Sequence, residues 1–356
     1  MRRVVNNKIQ RNALIQENYQ IMHGDCLSVL KTLPDDCVDC VITSPPYWKQ
    51  REYDIDKSSK RLEVGREDSY VEYVENLVKI FHEVKRVLKP DGSFWLNIGD
   101  KFDNKNLVGL PWRVAIALQD DGWILRSDII WDQMKGTQSP KDRFRDIYEH
   151  VFHFVKNKKY FFDSTEIKIK PSKLPTMGVG GEVQSATGVS GKKYFKYINE
   201  SNCLTLIEKN NALLALEKTI KEIKEGKIVD FRMTIRGSQR AYHSEDKNIS
   251  GRAKELKDKG FYILKSKADG FLPSNIWRIV PEDKWRKDTH AAVFPEELLK
   301  TPILSTSRKG GIILDPFVGT GSSICAALSL GRKAIGIDLS KKYIAVAKKR
   351  ILSMED

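Results

Sequence analysis

Two clusters of residues in this chain have the types and spacing to do chemistry. The first is Val41-Ile42-Thr43-Ser44-Pro45-Pro46-Tyr47-Trp48, a strand-like run that ends in a hydroxyl, two prolines and two large rings. Proline has no N–H to continue a sheet and its φ is fixed near about −65°. The chain therefore leaves the sheet in a stiff corner faced by the Tyr47 and Trp48 rings. The second is Asp315-Pro316-Phe317-Val318-Gly319-Thr320-Gly321-Ser322-Ser323, which follows the strand-like GGIILD and opens the helical ICAALSL. Glycines there let a ligand approach the backbone. Asp338 ends the next strand-like run, RKAIGID, where a carboxylate can take ribose hydroxyls.

The glycine loop reads as a nucleoside site. A dinucleotide loop would place a third glycine at position 324, which is Ile324. A carboxylate at the mouth, Asp315, opposes a pyrophosphate and suits a cation. S-adenosylmethionine carries an ammonium, a sulfonium and free ribose hydroxyls, so charge and hydroxyl placement favour it over NAD. The bland alternative is a tight turn with a solvent-facing aspartate.

Positioning these residues requires strands and helices in alternation. YQIMHGD reads as a strand ending at Asp25, VDCVITSPPY as a second, and residues 69–88 carry apolar residues at helical spacing up to a turn signal at Lys89-Pro90-Asp91-Gly92. GSFWLNIGD is a strand, residues 110–121 a short helix, and WILRSDIIW and EHVFHFVK two further strands. The pattern returns from Lys309 to a final helix, SKKYIAVAKKRIL. This predicts a doubly wound, mostly parallel α/β sheet with ligands at the carboxyl ends of its strands. Asp25, Ser44, Asp315 and Asp338 all fall at such ends.

Between the two α/β parts lies a segment of different character. The glycine-rich stretch TMGVGGEVQSATGVSGKK has no period and reads as a mobile loop, and CLTLIEKNNALLALEKTIKEIKE as an amphipathic helix. Residues 164–289 hold 25 Lys plus Arg against 16 Asp plus Glu, a net +9 out of +14 for the 356-residue chain. That skew favours a polyanion partner. Lys192 and Lys193 flank the glycine-rich loop, and Arg232, Arg236 and Arg240 recur every four residues among aromatics, suited to phosphate contact or simple solvation ahead of base readout. The expected organisation is an N-terminal arm over 1–18, a discontinuous domain over 19–163 and 290–356, and a basic insert over 164–289. Five sparse cysteines argue for a reduced, cytoplasmic protein and against a disulfide scaffold. The Cys37–Cys40 pair stands alone and reads as two small apolar residues, with no metal expected. No apolar run is long enough to span a membrane.

In combination, TSPPYW at 43–48 and DPFVGTGSS at 315–323 resemble the amino-group DNA methyltransferases, specifically the cytosine-N4 enzymes. The order, with TSPPY N-terminal and the glycine loop C-terminal, looks like the circularly permuted beta class, whose target-recognition region lies between them. The resemblance covers most of residues 19–163 and 289–352. It implies that Asp25 meets the adenine amine of S-adenosylmethionine and that Phe294 packs on the cofactor. It places Phe317, Gly319, Gly321 and Ser322 with Asp315 and Asp338 around the same molecule. The chain departs from the family pattern at Ala291-Ala292, where proline is common, and at Asp132-Gln133, where lysine follows the tryptophan.

The resemblance also implies a mechanism. A paired exocyclic amine cannot react inside a duplex, so the base flips into a pocket. Tyr47 stacks on it, while Trp48 either lines the pocket or packs behind it. Ser44 and the Pro45 carbonyl accept the amine's hydrogens, and Pro45 and Pro46 keep that carbonyl in place. None of the five cysteines follows a proline, which excludes the nucleophile needed for carbon-5 methylation. Double-stranded DNA is the expected partner, with a cognate restriction endonuclease and a monomer or homodimer as further expectations. Adenine-N6 methylation on the same fold, a catalytically silent DNA-binding protein, and RNA or small-molecule methylation are the competing readings.

Overall fold

The computed structural model describes residues 18–50, 63–134, 140–177, 183–237, 251–281 and 294–355. Most of the expected N-terminal arm, Arg240, and Ala291-Ala292 lie outside them. The chain divides into two compact units, Lys168–Pro273 and the remainder on either side of it.

The larger unit opens with β1 (Tyr19–His23), α1 (Cys26–Leu30), β2 (Val38–Thr43), α2 (Tyr70–Val87), β3 (Leu88–Ile98), α3 (Leu110–Asp120), β4 (Ile124–Asp132) and β5 (Tyr148–Val155). The smaller unit contributes α4 (Lys192–Glu200), α5 (Leu206–Lys224), β6 (Ile228–Ile235), α6 (Gly251–Lys259) and β7 (Phe261–Lys267). The larger unit resumes with β8 (Ile276–Arg278), α7 (Glu296–Thr306), β9 (Ile312–Asp315), α8 (Ser322–Ser329), β10 (Lys333–Asp338) and α9 (Lys341–Leu352).

Eight strands of the larger unit form one sheet in the order β1-β10-β9-β2-β3-β5-β4-β8. Only β5 runs against its neighbours, pairing antiparallel with β3 and β4. The mostly parallel α/β expectation is borne out. β2 shows why this sequence suits such a sheet. All six of its residues are buried, Val41 packing into one apolar cluster and Cys40 and Ile42 into the other, so both faces are covered. The helix expected over 69–88 forms with Ser69 as its N-cap, its side chain accepting the Glu72 N–H, and it buries Tyr73, Leu77, Ile80, Phe81, Val84 and Val87. Lys89-Pro90-Asp91-Gly92, expected as a turn, instead starts β3, and the register with β2 shifts between Val38 and Cys40 to absorb it. β8 also departs from expectation. Ile276–Arg278 pairs with Ile130–Asp132 of the main sheet, although the basic insert was expected to run to residue 289. A three-residue strand has too little periodicity to register in sequence. Among the described residues no helix is long and apolar enough to cross a membrane.

In the smaller unit, β6 and β7 pair antiparallel, and Phe231, Met233 and Ile235 pack with Tyr194, Ile198, Ala212, Leu216 and Ile223. The stretch expected as a mobile loop is partly ordered: Thr176–Met177 pairs with Val183–Gln184, and Thr187 Oγ1 donates to Asp230 Oδ1 at 2.8 Å.

One core group makes the larger unit acid-sensitive. His153 is 2% exposed, stacks on Trp95 at 4.1 Å between ring centroids, and shares a 3.0 Å hydrogen bond with Ser93 Oγ. Burial, with a smaller contribution from Arg126, pulls its pKa from 6.5 down to about 3. A depressed histidine pKa means the unfolded chain binds the proton more tightly. The resulting stability is complete above about pH 6.5 and is lost progressively as pH falls from there towards 3. Between neutrality and pH 5 this amounts to about 2 kcal/mol. His153→Phe is expected to flatten that part of the stability profile, measured by urea unfolding at each pH.

Candidate active site

The carboxyl ends of β1, β2, β9 and β10 meet at one cavity of about 240 Å³, and the four residues expected at those ends, Asp25, Ser44, Asp315 and Asp338, all line it. Segments far apart in sequence reach it, β1 and β2 before the smaller unit and β9 and β10 after it. β9 and β10 sit between β1 and β2, which brings the glycine loop next to the Ser44 corner.

The glycine loop is held by its own acids. Asp338 Oδ2 accepts the Gly319 N–H at 2.8 Å and Oδ1 accepts the Ser340 N–H at 2.7 Å. Burial raises the Asp338 pKa against the pull of these two bonds. A carboxylate offers about four acceptor sites, so Asp338 retains acceptor capacity for a ribose hydroxyl. Asp315 differs from the mouth-facing carboxylate expected. It is only 4% exposed, and its oxygens accept from Thr43 Oγ1 at 2.6 Å, the Phe317 N–H at 3.0 Å and Ser323 Oγ at 2.5 Å. Burial nevertheless dominates and lifts its pKa from 3.8 to about 6. Asp315 thus links the end of β2 to the loop, through Thr43, as well as bordering the cavity.

Phe294, Phe317, Gly319 and Ser322 border the cavity. Gly321 is not among its lining residues. Its φ is +86°, and a Cβ there would come within 2.9 Å of the Ala347 Cβ, so this glycine lets α8 start close against α9. Asp25 caps α1, its Oδ2 accepting from the Ser28 N–H at 2.9 Å and the Ser28 hydroxyl at 2.8 Å. Ser322 Oγ accepts from Arg350 Nη1 at 3.0 Å.

The proline corner separates its two rings. Trp48 is 4% exposed, donates from Nε1 to the Glu67 carbonyl at 2.9 Å and packs edge-on to Tyr70. It is a core residue behind the corner, and the two positions open to it in sequence resolve to packing. Pro45, Pro46 and Tyr47 line the cavity. The Tyr47 ring lies against Gly99, where a Cβ would come within 2.9 Å of the Tyr47 Cε2 atom. The Ser44 hydroxyl donates to Tyr47 Oη at 3.2 Å, and Tyr47 Oη donates to Glu149 Oε2 at 2.7 Å. Burial first, and the neighbouring Glu149 second, push the Tyr47 pKa well above 10, so the phenol keeps its proton.

Sequence reasoning missed Glu149, Asn97 and Gln133, all of which line the cavity. Asn97 Nδ2 donates to Glu149 Oε2 at 3.0 Å and Gln133 Nε2 to Glu149 Oε1 at 2.9 Å. The signal was available in the direction of β5. An antiparallel strand places its first residues, not its last, at the carboxyl edge of its parallel neighbours, and Glu149 is the second residue of β5.

Of the expected nucleic-acid contacts, Lys192 and Lys193 are exposed in the first turn of α4 and Arg232 is exposed on β6. Arg236 is occupied within its own unit. Its guanidinium binds both carboxylate oxygens of Glu208 at 2.9 and 2.7 Å and the carbonyls of Cys203 and Lys257. Glu208 also completes the capping box of α5, so Arg236 ties a helix start to the strand pair.

Comparison with known proteins agrees with this architecture. The type II methyltransferase M.SmaI of Serratia marcescens is 29% identical over 94% of this chain and 90% of its own length. Among solved structures, the PvuII DNA methyltransferase, described as cytosine-N4-specific, superposes with a TM-score of 0.55 at 18% identity, covering 94% of this chain and 86% of that one. A Thermus thermophilus protein, described as a putative DNA modification methylase and crystallised with S-adenosyl-L-methionine, has a TM-score of 0.50 at 18% identity, covering 94% and 95%. At these identities the structures speak for the fold alone. The family model for DNA methylases (N6_N4_Mtase) matches residues 38–349, from the first residue of β2 into the last turn of α9. All of the cavity except its Asp25 end falls within that span, and the chain belongs to the DNA methylase family.

Proposed function

We propose that this protein is a site-specific DNA methyltransferase that moves a methyl group from S-adenosylmethionine to the exocyclic N4 amine of a cytosine flipped out of double-stranded DNA. The observation that carries the reading is the orientation of Ser44: its hydroxyl hydrogen points to Tyr47 Oη, so its oxygen lone pairs are available as acceptors at the cavity wall.

The residues present suit this cofactor. Asp338 has acceptor capacity left for a ribose hydroxyl, Gly319 offers backbone without a side chain, and Phe294 and Phe317 supply apolar faces beside the Asp25 and Asp315 carboxylates. When bound, S-adenosylmethionine supplies a methyl group on an electrophilic sulfonium. The protein's part is to make the amine nucleophilic. Ser44 Oγ and the Pro45 carbonyl accept its hydrogens out of the ring plane, which draws the nitrogen towards tetrahedral geometry and localises its lone pair. Pro45 and Pro46 prevent that carbonyl from relaxing. Tyr47 presents a ring for stacking, a contact worth on the order of 1–3 kcal/mol against the cost of flipping. Fixed dipoles of this kind lower the barrier without reorganising during the reaction.

The unit Lys168–Pro273 is the proposed target-recognition region, with Lys192, Lys193 and Arg232 contacting phosphates or base edges and Arg236 supporting the fold from within. Its charge gives a binding constant that falls steeply with salt. In a cell the protein protects host DNA, paired with a restriction endonuclease of the same site.

Digesting PCR-amplified genomic DNA to nucleosides after incubation with the protein and S-adenosylmethionine, then identifying the product by mass spectrometry against retention standards, tests the reading. N4-methylcytosine is expected. N6-methyladenine would assign the other amine, and no modified base on any DNA would leave a binding protein with a methyltransferase fold.

A further inference from the structure

Methylation of an exocyclic amine leaves a proton that must depart. The nitrogen carries two hydrogens before the reaction and one after it, and the departing proton needs an acceptor beside the Ser44 corner. Ser44 can receive it only if it passes its own hydrogen on, since a doubly protonated hydroxyl is a strong acid. The hydrogen-bond directions at the proline corner provide the outlet. Ser44 Oγ donates to Tyr47 Oη, and Tyr47 Oη donates to Glu149 Oε2 at 2.7 Å in preference to Asn97 Oδ1 at 3.3 Å. Every bond in the row points from the target site towards the carboxylate.

We propose that Glu149 is the terminal proton acceptor of a relay that runs from the target amine through the Ser44 and Tyr47 hydroxyls. The proposal rests on the reading of Ser44 as an amine acceptor. As methyl transfer makes the nitrogen cationic, its proton moves to Ser44 Oγ, the Ser44 hydrogen moves to Tyr47 Oη, and the Tyr47 hydrogen moves to Glu149 Oε2. One N–H bond breaks, one O–H bond forms at Glu149, and both hydroxyls end neutral with their hydrogen bonds reversed. The products are the neutral methylamino base and a carboxylic acid.

Three features fit this role. Tyr47 keeps its proton at ordinary pH, as a relay member must and a base must not. Asn97 and Gln133 donate to Glu149 from β3 and from the segment after β4, which holds the carboxylate with its Oε2 on Tyr47. Asn97 Nδ2 also donates to the His150 carbonyl at 3.2 Å, so it keeps a partner when Oε2 takes up the proton. The Ser44–Tyr47 step, at 3.2 Å, is the long one, and such bonds tighten when substrate draws on the donor.

The test is single-turnover transfer of labelled methyl from S-adenosylmethionine to PCR-amplified genomic DNA, with cofactor binding and thermal melts recorded for each variant. Glu149→Gln keeps an acceptor oxygen for Tyr47 but cannot hold the proton, and Tyr47→Phe keeps the ring but cuts the row. Each is expected to slow transfer by about 10²-fold, and the double variant to be no slower than Tyr47→Phe alone. Formate, a diffusible carboxylate, is expected to restore transfer about tenfold in Glu149→Ala and to leave Tyr47→Phe unchanged. Wild-type rates in Glu149→Gln, or no rescue of a folded, cofactor-binding Glu149→Ala, would overturn the relay while leaving the methyltransferase reading in place. A wild-type protein that transfers no methyl to any DNA would remove both.

Discussion

Replacing Ser44 by alanine is expected to lower single-turnover methyl transfer by about 10²–10³-fold, the usual loss when one fixed polar group at a reacting centre is removed. Affinity for S-adenosylmethionine should stay within about twofold. The reason lies in what Ser44 touches. Its side chain donates to Tyr47 Oη, and the loop acids Asp315 and Asp338 that border the cavity are held by Thr43, Phe317, Ser323, Gly319 and Ser340. Removing the hydroxyl leaves that set intact. It also deletes the first member of the proton row, so Ser44→Ala and Tyr47→Phe should be strongly non-additive. Tritium transfer under single-turnover conditions, with equilibrium cofactor binding alongside, separates the two effects. Transfer at the wild-type rate would take Ser44 out of the mechanism.

Asp315→Asn is expected to stabilise the protein and weaken cofactor binding at once. The folded chain holds the Asp315 proton more tightly than the unfolded chain, because burial raises its pKa from 3.8 to about 6. Stability therefore falls as pH climbs through that interval, and the loss persists above it. The displacement corresponds to roughly 3 kcal/mol at neutral pH. Asparagine removes the charge with almost no change of shape. Its oxygen can still accept from Thr43 and the Phe317 N–H, and its amide can donate to a rotated Ser323 hydroxyl. Urea unfolding should show a gain of up to about 3 kcal/mol above pH 6 that vanishes towards pH 4. The same change removes a negative charge beside the proposed site of the cationic cofactor, and affinity should drop by tenfold or more, as expected for loss of a charge-assisted interaction. A destabilised Asp315→Asn at neutral pH would show that its three donors outweigh its burial.

The parallel part of the sheet and its four edge residues were legible in sequence because each combines a strand-like run with an abrupt break. In β2 the break is Pro45-Pro46, and in β9 it is the Asp315–Gly321 loop. In β1 and β10 it is an aspartate that caps the next turn or binds the loop. Such breaks are local, and local patterns are what a sequence displays. Glu149 was not legible for the opposite reason. A polar residue at the start of a strand looks like an ordinary solvated end, and only the reversed direction of β5, a property of the pairing, brings it to the cavity. Arg236 failed differently. The spacing from Arg232 suggested one exposed face, but Arg236 lies just past Ile235, where the strand ends, and its guanidinium turns to Glu208. Trp48 was undecided because a ring at a corner serves either side equally well until the Glu67 carbonyl and Tyr70 are placed around it.

The placement of β9 and β10 between β1 and β2 bears on how the chain is made. Ile313 pairs with Cys40 and Ala334 with Tyr19, contacts between residues that leave a ribosome far apart in time. Until β9 and β10 are synthesised, β1 and β2 have no partner between them, and each shows an unpaired backbone edge, the surface on which partly made chains aggregate. The same gap leaves the nascent chain without its glycine loop. A polypeptide made only as far as β8 has the Ser44 corner but lacks the glycine-loop side of the cavity.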